Sequence, residues 1–189
     1  MHDLNVVIVG VGGQGTLLAS RVLGHIAMRL GRDVRVSEVH GMSQRGGSVT
    51  TYVRLADKVH SPLVEQKGAD YVLAFEELEA MRALPYLKDG GTLIVNTQKI
   101  MPLPVVIGAA AYPEHIPETL AAKANVLALD ALQMAKDAGN ERAVNTVMLG
   151  ALAARLPFEK GLWAEALAAC IPERFMQANL AAFEKGYAQ

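Results

Sequence analysis

Apolar residues in this chain form short runs that alternate with stretches where they recur every three or four positions. The first run, 5–10, is rich in Val and Ile and stops at a glycine, whereas 17–30 follows a helical period. Strand-like runs recur at 33–38, 48–55, 70–75, 92–96 and 125–129, and helical patterns at 76–87, 131–138, 145–156 and 162–187. This alternation predicts an α/β fold with an open, mostly parallel, Rossmann-like sheet, helices on both faces and a helical C-terminal region.

Several local expectations follow from the same pattern. The run 48–55 alternates and is rich in β-branched residues, which favours a strand at a sheet edge. Three acids, Glu76, Glu77 and Glu79, are expected to form the solvated first turn of a helix, where they complement the helix dipole. Asn145 precedes an apolar helical stretch and is expected to be its N-cap, and 102–117 is expected to be irregular.

Composition narrows the function classes. The chain has 189 residues, of which 51% are hydrophobic and 20% charged, so one large core and a single domain over 1–189 are expected. The formal net charge of −1 gives no reason to expect nucleic acid or an anionic membrane as a partner. No run is long enough to span a membrane and no signal peptide is evident, so a cytoplasmic location is expected.

The turn after the first strand, residues 10–15, carries the first candidate chemistry. Its sequence GVGGQG satisfies G-x-G-x-x-G between a strand and a helix. The N–H groups at the start of the helix would favour an anion, and Gln14 can donate to and accept from a polar ligand. The alternative is that these glycines only permit close packing of strand and helix. The candidate cofactor-binding residues at this glycine turn are Gly10, Gly12, Gly13, Gln14 and Gly15.

A second glycine-flanked loop, residues 40–48, follows the second strand. Ser43, Gln44 and Arg45 lie between Gly41 and the pair at 46–47, which concentrates polar side chains in a flexible setting. The planar guanidinium of Arg45 is suited to a carboxylate or a phosphate. An exposed turn with an incidental arginine is the alternative interpretation.

Few other residues suggest chemistry. Glu38 sits where a dinucleotide site places its ribose-binding acid, and it shares a strand face with His40, a possible but disfavoured general base. Asn145 is a further candidate ligand contact. The histidines show no metal-ligand spacing, so no metal site is expected. The single cysteine, Cys170, is interpreted as a core residue, and one cysteine cannot hold an iron–sulfur cluster alone.

Three motifs taken together resemble one known family: VGVGGQG at 9–15, EVHGMSQRGG at 38–47 and NTVMLGA at 145–151. It is the gamma-type subunit or domain of the 2-oxoacid:ferredoxin oxidoreductases, here over 1–189 as one pyruvate/ketoisovalerate ferredoxin oxidoreductase gamma-type domain. The chain's size and Ala-rich helical end are most similar to the separate beta subunit of the indolepyruvate enzymes. The first two motifs, about 30 residues apart, are more specific together than either alone.

The resemblance implies an accessory oxidoreductase subunit that is not active alone. Its large partner subunit would hold thiamine diphosphate and [4Fe-4S] clusters, with coenzyme A as co-substrate and ferredoxin as electron acceptor. This chain would bind no such cofactor alone. It would complete the active site with the glycine turn and the Ser43–Gln44–Arg45 stretch. Arg45 and Gln14 are the catalytic candidates. Two alternatives stay open: a stand-alone NAD(P)-binding Rossmann oxidoreductase, and a non-catalytic nucleotide-binding module.

Overall fold

The computed structural model describes residues 3–41 and 46–189. Within these two ranges, six strands form one sheet in the order β2-β3-β1-β4-β5-β6. The strands are β1 (Leu4–Val11), β2 (Asp33–His40), β3 (Ser48–Ala56), β4 (Ala69–Ala74), β5 (Leu87–Asn96) and β6 (Asn125–Leu129). The helices are α1 (Thr16–Arg29), α2 (Glu77–Ala83), α3 (Leu103–Val106), α4 (Ile116–Ala121), α5 (Ala131–Asp137), α6 (Val144–Ala153), α7 (Lys160–Cys170) and α8 (Met176–Tyr187).

The sheet is mostly parallel, as the sequence predicts. β1, β4, β5 and β6 pair in parallel, whereas β3 runs antiparallel to both β1 and β2. Parallel neighbours place their carboxyl ends at one sheet edge, which is where ligands bind in open α/β folds. The end of β1, at the glycine turn, therefore lies at the same edge as the ends of β4 and β5.

The prediction that 48–55 forms an edge strand is wrong. β3 lies between β1 and β2, and β2 is the edge strand. The alternating pattern of β3 comes from its polar residues, but two of these, Thr51 and Tyr52, are buried. The hydroxyl of Thr51 donates a hydrogen bond to Glu38 Oε2, and that of Tyr52 donates one to the hydroxyl of Tyr86. A polar side chain with a hydrogen-bond partner is tolerated inside a sheet, so alternation did not mark exposure here.

Helices cover both faces of the sheet, as expected. One face packs Val6, Ile8 and Leu73 against α1, α6, α7 and α8, and the other packs Val7 and Val72 against α2 and α4. Alternate residues of one strand thus enter opposite core layers. Among the described residues, no helix is both long and apolar enough to cross a membrane.

The C-terminal region is helical, and two glycines let its helices meet closely. α6 crosses α8 where Gly150 faces the backbone of Phe183, and Gly186 faces that of Val147. A Cβ at Gly186 would lie 1.9 Å from the carbonyl oxygen of Val147. The two helices therefore pack backbone against backbone. Cys170 is half-buried at the end of α7 and packs against the core, where burial raises the pKa of its thiol.

Candidate functional site

The glycine turn lies between the end of β1 and the start of α1. Gly13 and Gly15 adopt positive φ values of 106° and 85°, a conformation that glycine accepts readily. Four backbone N–H groups at this turn have no acceptor among the described residues: those of Gly13, Gly15, Thr16 and Leu17. Since α1 contributes the positive end of its dipole at the same point, the turn has the donors and the field that an anion needs.

The glycine turn is joined to the end of the second loop. The Gly12 N–H donates to the Gly47 carbonyl at 2.8 Å, and the Gly46 N–H donates to the Gly12 carbonyl at 3.4 Å. The structure thus brings the two sequence motifs together at their glycines. Ser43, Gln44 and Arg45 lie outside the described residues, so their predicted role in binding stays a prediction.

Gln14 bonds to the protein with both ends of its amide. Its Oε1 accepts from the Val11 N–H at 2.7 Å, and its Nε2 donates to the Phe75 carbonyl at 2.9 Å and lies 3.4 Å from Gln98 Oε1. Asn96 also donates to the Phe75 carbonyl. These contacts connect the glycine turn to the carboxyl ends of β4 and β5, which gives Gln14 a structural role at the centre of the candidate site.

Asn145 contacts the glycine turn but is not the predicted helix N-cap. α6 already begins at Val144, directly after a 3-10 turn at Glu141–Ala143 that Asn140 caps by accepting from the Arg142 N–H. The cap lies upstream because the 3-10 turn runs straight into α6. Asn145 is only 8% exposed, and its Nδ2 would lie 2.5 Å from a Cβ placed on Gly15.

A cleft of about 390 Å³ opens beside the glycine turn. It is lined by Gly12, Gly13, Gly15, Thr16, Leu17, Glu38, His40 and Val49. Glu38 and His40 therefore reach the turn although β3 separates their strand from β1. They are not paired with each other: Glu38 accepts from Thr51, and His40 Nδ1 lies 2.9 Å from the Gly41 carbonyl oxygen.

The prediction that Glu76, Glu77 and Glu79 are solvated is wrong, because all three are buried. Glu76 caps α2 by accepting from the Glu79 N–H at 2.9 Å. Glu79 accepts from the Ser48 hydroxyl at 2.5 Å and from Arg82. Their position in the sequence indicates this burial, because the acids directly follow the carboxyl end of a buried strand.

Glu76 also holds the segment that follows β5. Its Oε1 accepts from the Ile100 N–H at 3.2 Å and from the Tyr112 hydroxyl at 2.5 Å. Burial and the hydrogen bond to Glu76 raise the pKa of Tyr112, which keeps the hydroxyl a donor over the physiological range. One carboxylate thus fixes both ends of the chain between Ile100 and Tyr112.

Glu77 is less well satisfied. Its Oε2 accepts no hydrogen bond among the described residues, and the Lys99 Nζ is 3.8 Å away. Burial raises the pKa of Glu77 above its ordinary value of 4.5, the Lys99 charge opposes that shift, and the Glu76 and Glu118 charges add to it. The ionised carboxylate is therefore less stable in the folded chain than in the unfolded one.

Glu77→Gln is expected to raise the melting temperature of the isolated chain at pH 7. The raised pKa means that folded Glu77 binds a proton more tightly than unfolded Glu77, so its stabilising contribution is complete below pH 4.5 and is lost as the pH rises through the folded pKa. The neutral amide avoids that loss. Thermal unfolding at pH 7 and pH 4 measures the effect, with the exposed Glu141→Gln as control. An equal gain at both pH values would contradict the account.

Comparison with known proteins identifies the family to which a chain with this fold and this glycine turn belongs. The pyruvate ferredoxin/flavodoxin oxidoreductase family model matches residues 5–189, so the chain belongs to that family. Indolepyruvate oxidoreductase subunit IorB of Thermococcus kodakarensis is 41% identical over 194 residues, covering 98% of this chain and 95% of the relative. The IorB subunit of Pyrococcus horikoshii is 42% identical over 192 residues, with the same coverage.

A solved structure shows the same fold. The gamma subunit of a keto/oxoacid ferredoxin oxidoreductase from Geobacter sulfurreducens superposes with a TM-score of 0.73 at 25% identity, covering 98% of this chain and 96% of that chain. A 2-oxoglutarate:ferredoxin oxidoreductase chain from Magnetococcus marinus is 22% identical with a TM-score of 0.73, and this fold covers 31% of its length. The family and the fold predicted from the motifs are confirmed.

Proposed function

We propose that this chain is the accessory subunit of a thiamine-dependent 2-oxoacid:ferredoxin oxidoreductase, with indolepyruvate or another arylpyruvate as the substrate class. The relatives at about 40% identity are oxidoreductase subunits that match this chain over nearly its full length, and they carry the proposal. The chain's one cysteine cannot hold an iron–sulfur cluster. The large partner subunit would hold thiamine diphosphate and [4Fe-4S] clusters, which supply decarboxylation and electron transfer to ferredoxin.

The contribution of this chain would be an anion site at the rim of the partner's active site. The residues whose N–H groups have no acceptor in the described part of the chain line the 390 Å³ cleft, at the positive end of α1. Arg45, in the second loop whose end is bonded to this turn, would add a guanidinium. The group bound would be the carboxylate of the 2-oxoacid or a phosphate of coenzyme A.

Arg45→Ala is expected to raise the KM of the complete enzyme for coenzyme A or for the 2-oxoacid about 10- to 100-fold, since a charge-assisted hydrogen bond contributes roughly 1.5–3 kcal/mol. Steady-state reduction of a viologen dye, with each substrate varied in turn, measures the change. Arg142→Ala, an exposed arginine without a side-chain partner among the described residues, is the matched control. An Arg45→Ala complex that assembles normally and keeps wild-type turnover at low substrate and coenzyme A would eliminate the anion role.

One observation favours a second candidate, a self-sufficient NAD(P)-dependent oxidoreductase. Glu38 lines the same cleft as the glycine turn, as a ribose-binding acid would. However, β3 lies between β1 and β2, whereas a dinucleotide fold places the second strand next to the first. Titration of the isolated chain with NADH, followed by nicotinamide fluorescence, separates the candidates: tight binding supports the dehydrogenase, and none supports the accessory subunit.

The direct test of the accessory role is reconstitution with the large subunit under anaerobic conditions. The proposal requires indolepyruvate- and coenzyme A-dependent reduction of ferredoxin by the two chains together.

A further inference from the structure

Between β5 and α4, residues 101–111 form a largely exposed surface without polar side chains. Residues 101–113 contain no charged side chain. We call 101–111 the apolar segment. It includes α3, and its large side chains are open to solvent: Leu103 is 70% exposed, Val106 68% and Ile107 67%. Contiguous exposed apolar side chains of this kind mark interaction surfaces in soluble proteins.

The apolar segment is held in place at both ends. Glu76 Oε1 accepts from Ile100 at one end and from Tyr112 at the other, so one buried carboxylate joins the two ends of the loop. Compact loops with close ends are often functional. The two ends of the segment are thus held together, and binding it would cost a partner less ordering entropy than binding a loop with free ends.

A cleft of about 510 Å³ adjoins the apolar segment, and Met101 lines it. Glu77 lines the same cleft with a side chain only 4% exposed, and no hydrogen-bond donor within residues 3–41 and 46–189 reaches its Oε2. Glu114 and Glu118 add two further carboxylates to the lining, against one lysine, Lys99. The cleft therefore presents a buried carboxylate oxygen that a cationic donor from outside would satisfy.

We propose that the apolar segment and this Glu77 cleft form the docking surface for the large catalytic subunit, which contributes an apolar patch with one lysine or arginine that enters the cleft and pairs with Glu77. The inference rests on the proposed function, because it names the partner's contact surface. The acidic cleft disfavours a second copy of this chain as the occupant, because a two-fold contact centred on the cleft would bring the same carboxylates of two chains together.

The location of this surface fits a role at the active site. The cleft lies beyond the carboxyl ends of β4 and β5, at the sheet edge that carries the glycine turn. Gln14 Nε2 and Gln98 Oε1, 3.4 Å apart, connect the turn to the chain just before Lys99. A subunit docked on the apolar segment would therefore lie alongside the anion site.

The test measures affinity between the isolated chain and the cluster-loaded large subunit, by biolayer interferometry at two salt concentrations. Ile107→Asp is expected to weaken binding at least about 10-fold, as for a central interface residue. Glu77→Gln is expected to weaken it about threefold or more and to reduce its salt dependence, because one ion pair is lost. The controls are Met28→Asp, an equally exposed apolar position on α1, and Glu141→Gln; both should change affinity less than twofold.

The outcomes separate the docking surface from the proposed function. Wild-type binding that Ile107→Asp and Glu77→Gln leave unchanged would overturn the docking surface alone. Self-association of this chain that Ile107→Asp abolishes, with unchanged binding of the large subunit, would assign the surface to a second copy and overturn the proposal. Failure of the wild-type chain to bind the large subunit would overturn both. Thermal unfolding of each variant shows whether it is folded.

Discussion

Gly186→Ala is expected to lower the free energy of unfolding by about 3–5 kcal/mol, a large part of the roughly 5–15 kcal/mol that stabilises a typical domain. The added Cβ would lie 1.9 Å from the carbonyl oxygen of Val147, well inside van der Waals contact. Gly150→Ala should behave alike, since its Cβ would lie 2.1 Å from the Phe183 carbonyl oxygen. Backbone atoms of packed helices cannot move aside as a side chain can, so α6 and α8 must separate.

Urea denaturation followed by circular dichroism measures this loss. Gly24→Ala is the matched control: Gly24 lies within α1, and a Cβ there would meet no atom of the described chain within 4 Å. Alanine has the higher helix propensity, so this control should gain about 0.5–1 kcal/mol. Gly150 and Gly186 variants as stable as the wild type would show that the two helices do not pack as described.

Gly15→Ala is the second large expected effect, at about 2–4 kcal/mol of lost stability. Part is backbone strain, because Gly15 has a φ of 85°, and part is the clash with Asn145, whose Nδ2 would lie 2.5 Å from the new Cβ. Gly13→Ala isolates the strain: its φ is also positive, at 106°, but no atom of the described residues lies within 4 Å of a Cβ placed there. We expect Gly13→Ala to cost only about 1–2 kcal/mol.

A double-mutant cycle with Asn145→Ala tests the contact itself. Removing the amide gives the Gly15 Cβ room, so the double variant should be more stable than the sum of the two single losses predicts. The free energies come from urea denaturation of the four chains. Additive losses would show that Asn145 does not contact the glycine turn. The structure would then be wrong in placing α6 close to that turn.

Features of the fold that depend on local sequence were predictable. The run ending at Gly10, the glycine turn and the helical period after it predicted β1 and α1, and 125–129 matches β6 to the residue. Segment 102–117, which the sequence predicts to be irregular, contains only α3 and the start of α4. These elements are specified by periodicity and by turn residues within a few positions.

Features that depend on distant partners were not predictable. The order of β2 and β3 depends on strand pairing, which alternation does not reveal. The burial of Glu76 depends on Ile100 and Tyr112, which lie 24 and 36 residues away along the chain. Gln14 is a candidate ligand contact when only the sequence is considered. Its actual hydrogen-bond acceptor, the Phe75 carbonyl, lies far away along the chain, so no local pattern reveals this contact.

Titration of this chain into a fixed amount of cluster-loaded large subunit tests the accessory role, with indolepyruvate- and coenzyme A-dependent reduction of ferredoxin as the readout. We expect no turnover from either chain alone and a rate that rises with added chain to saturation at a fixed stoichiometry. Full turnover by the large subunit alone, or no turnover from the two together with intact clusters, would contradict it.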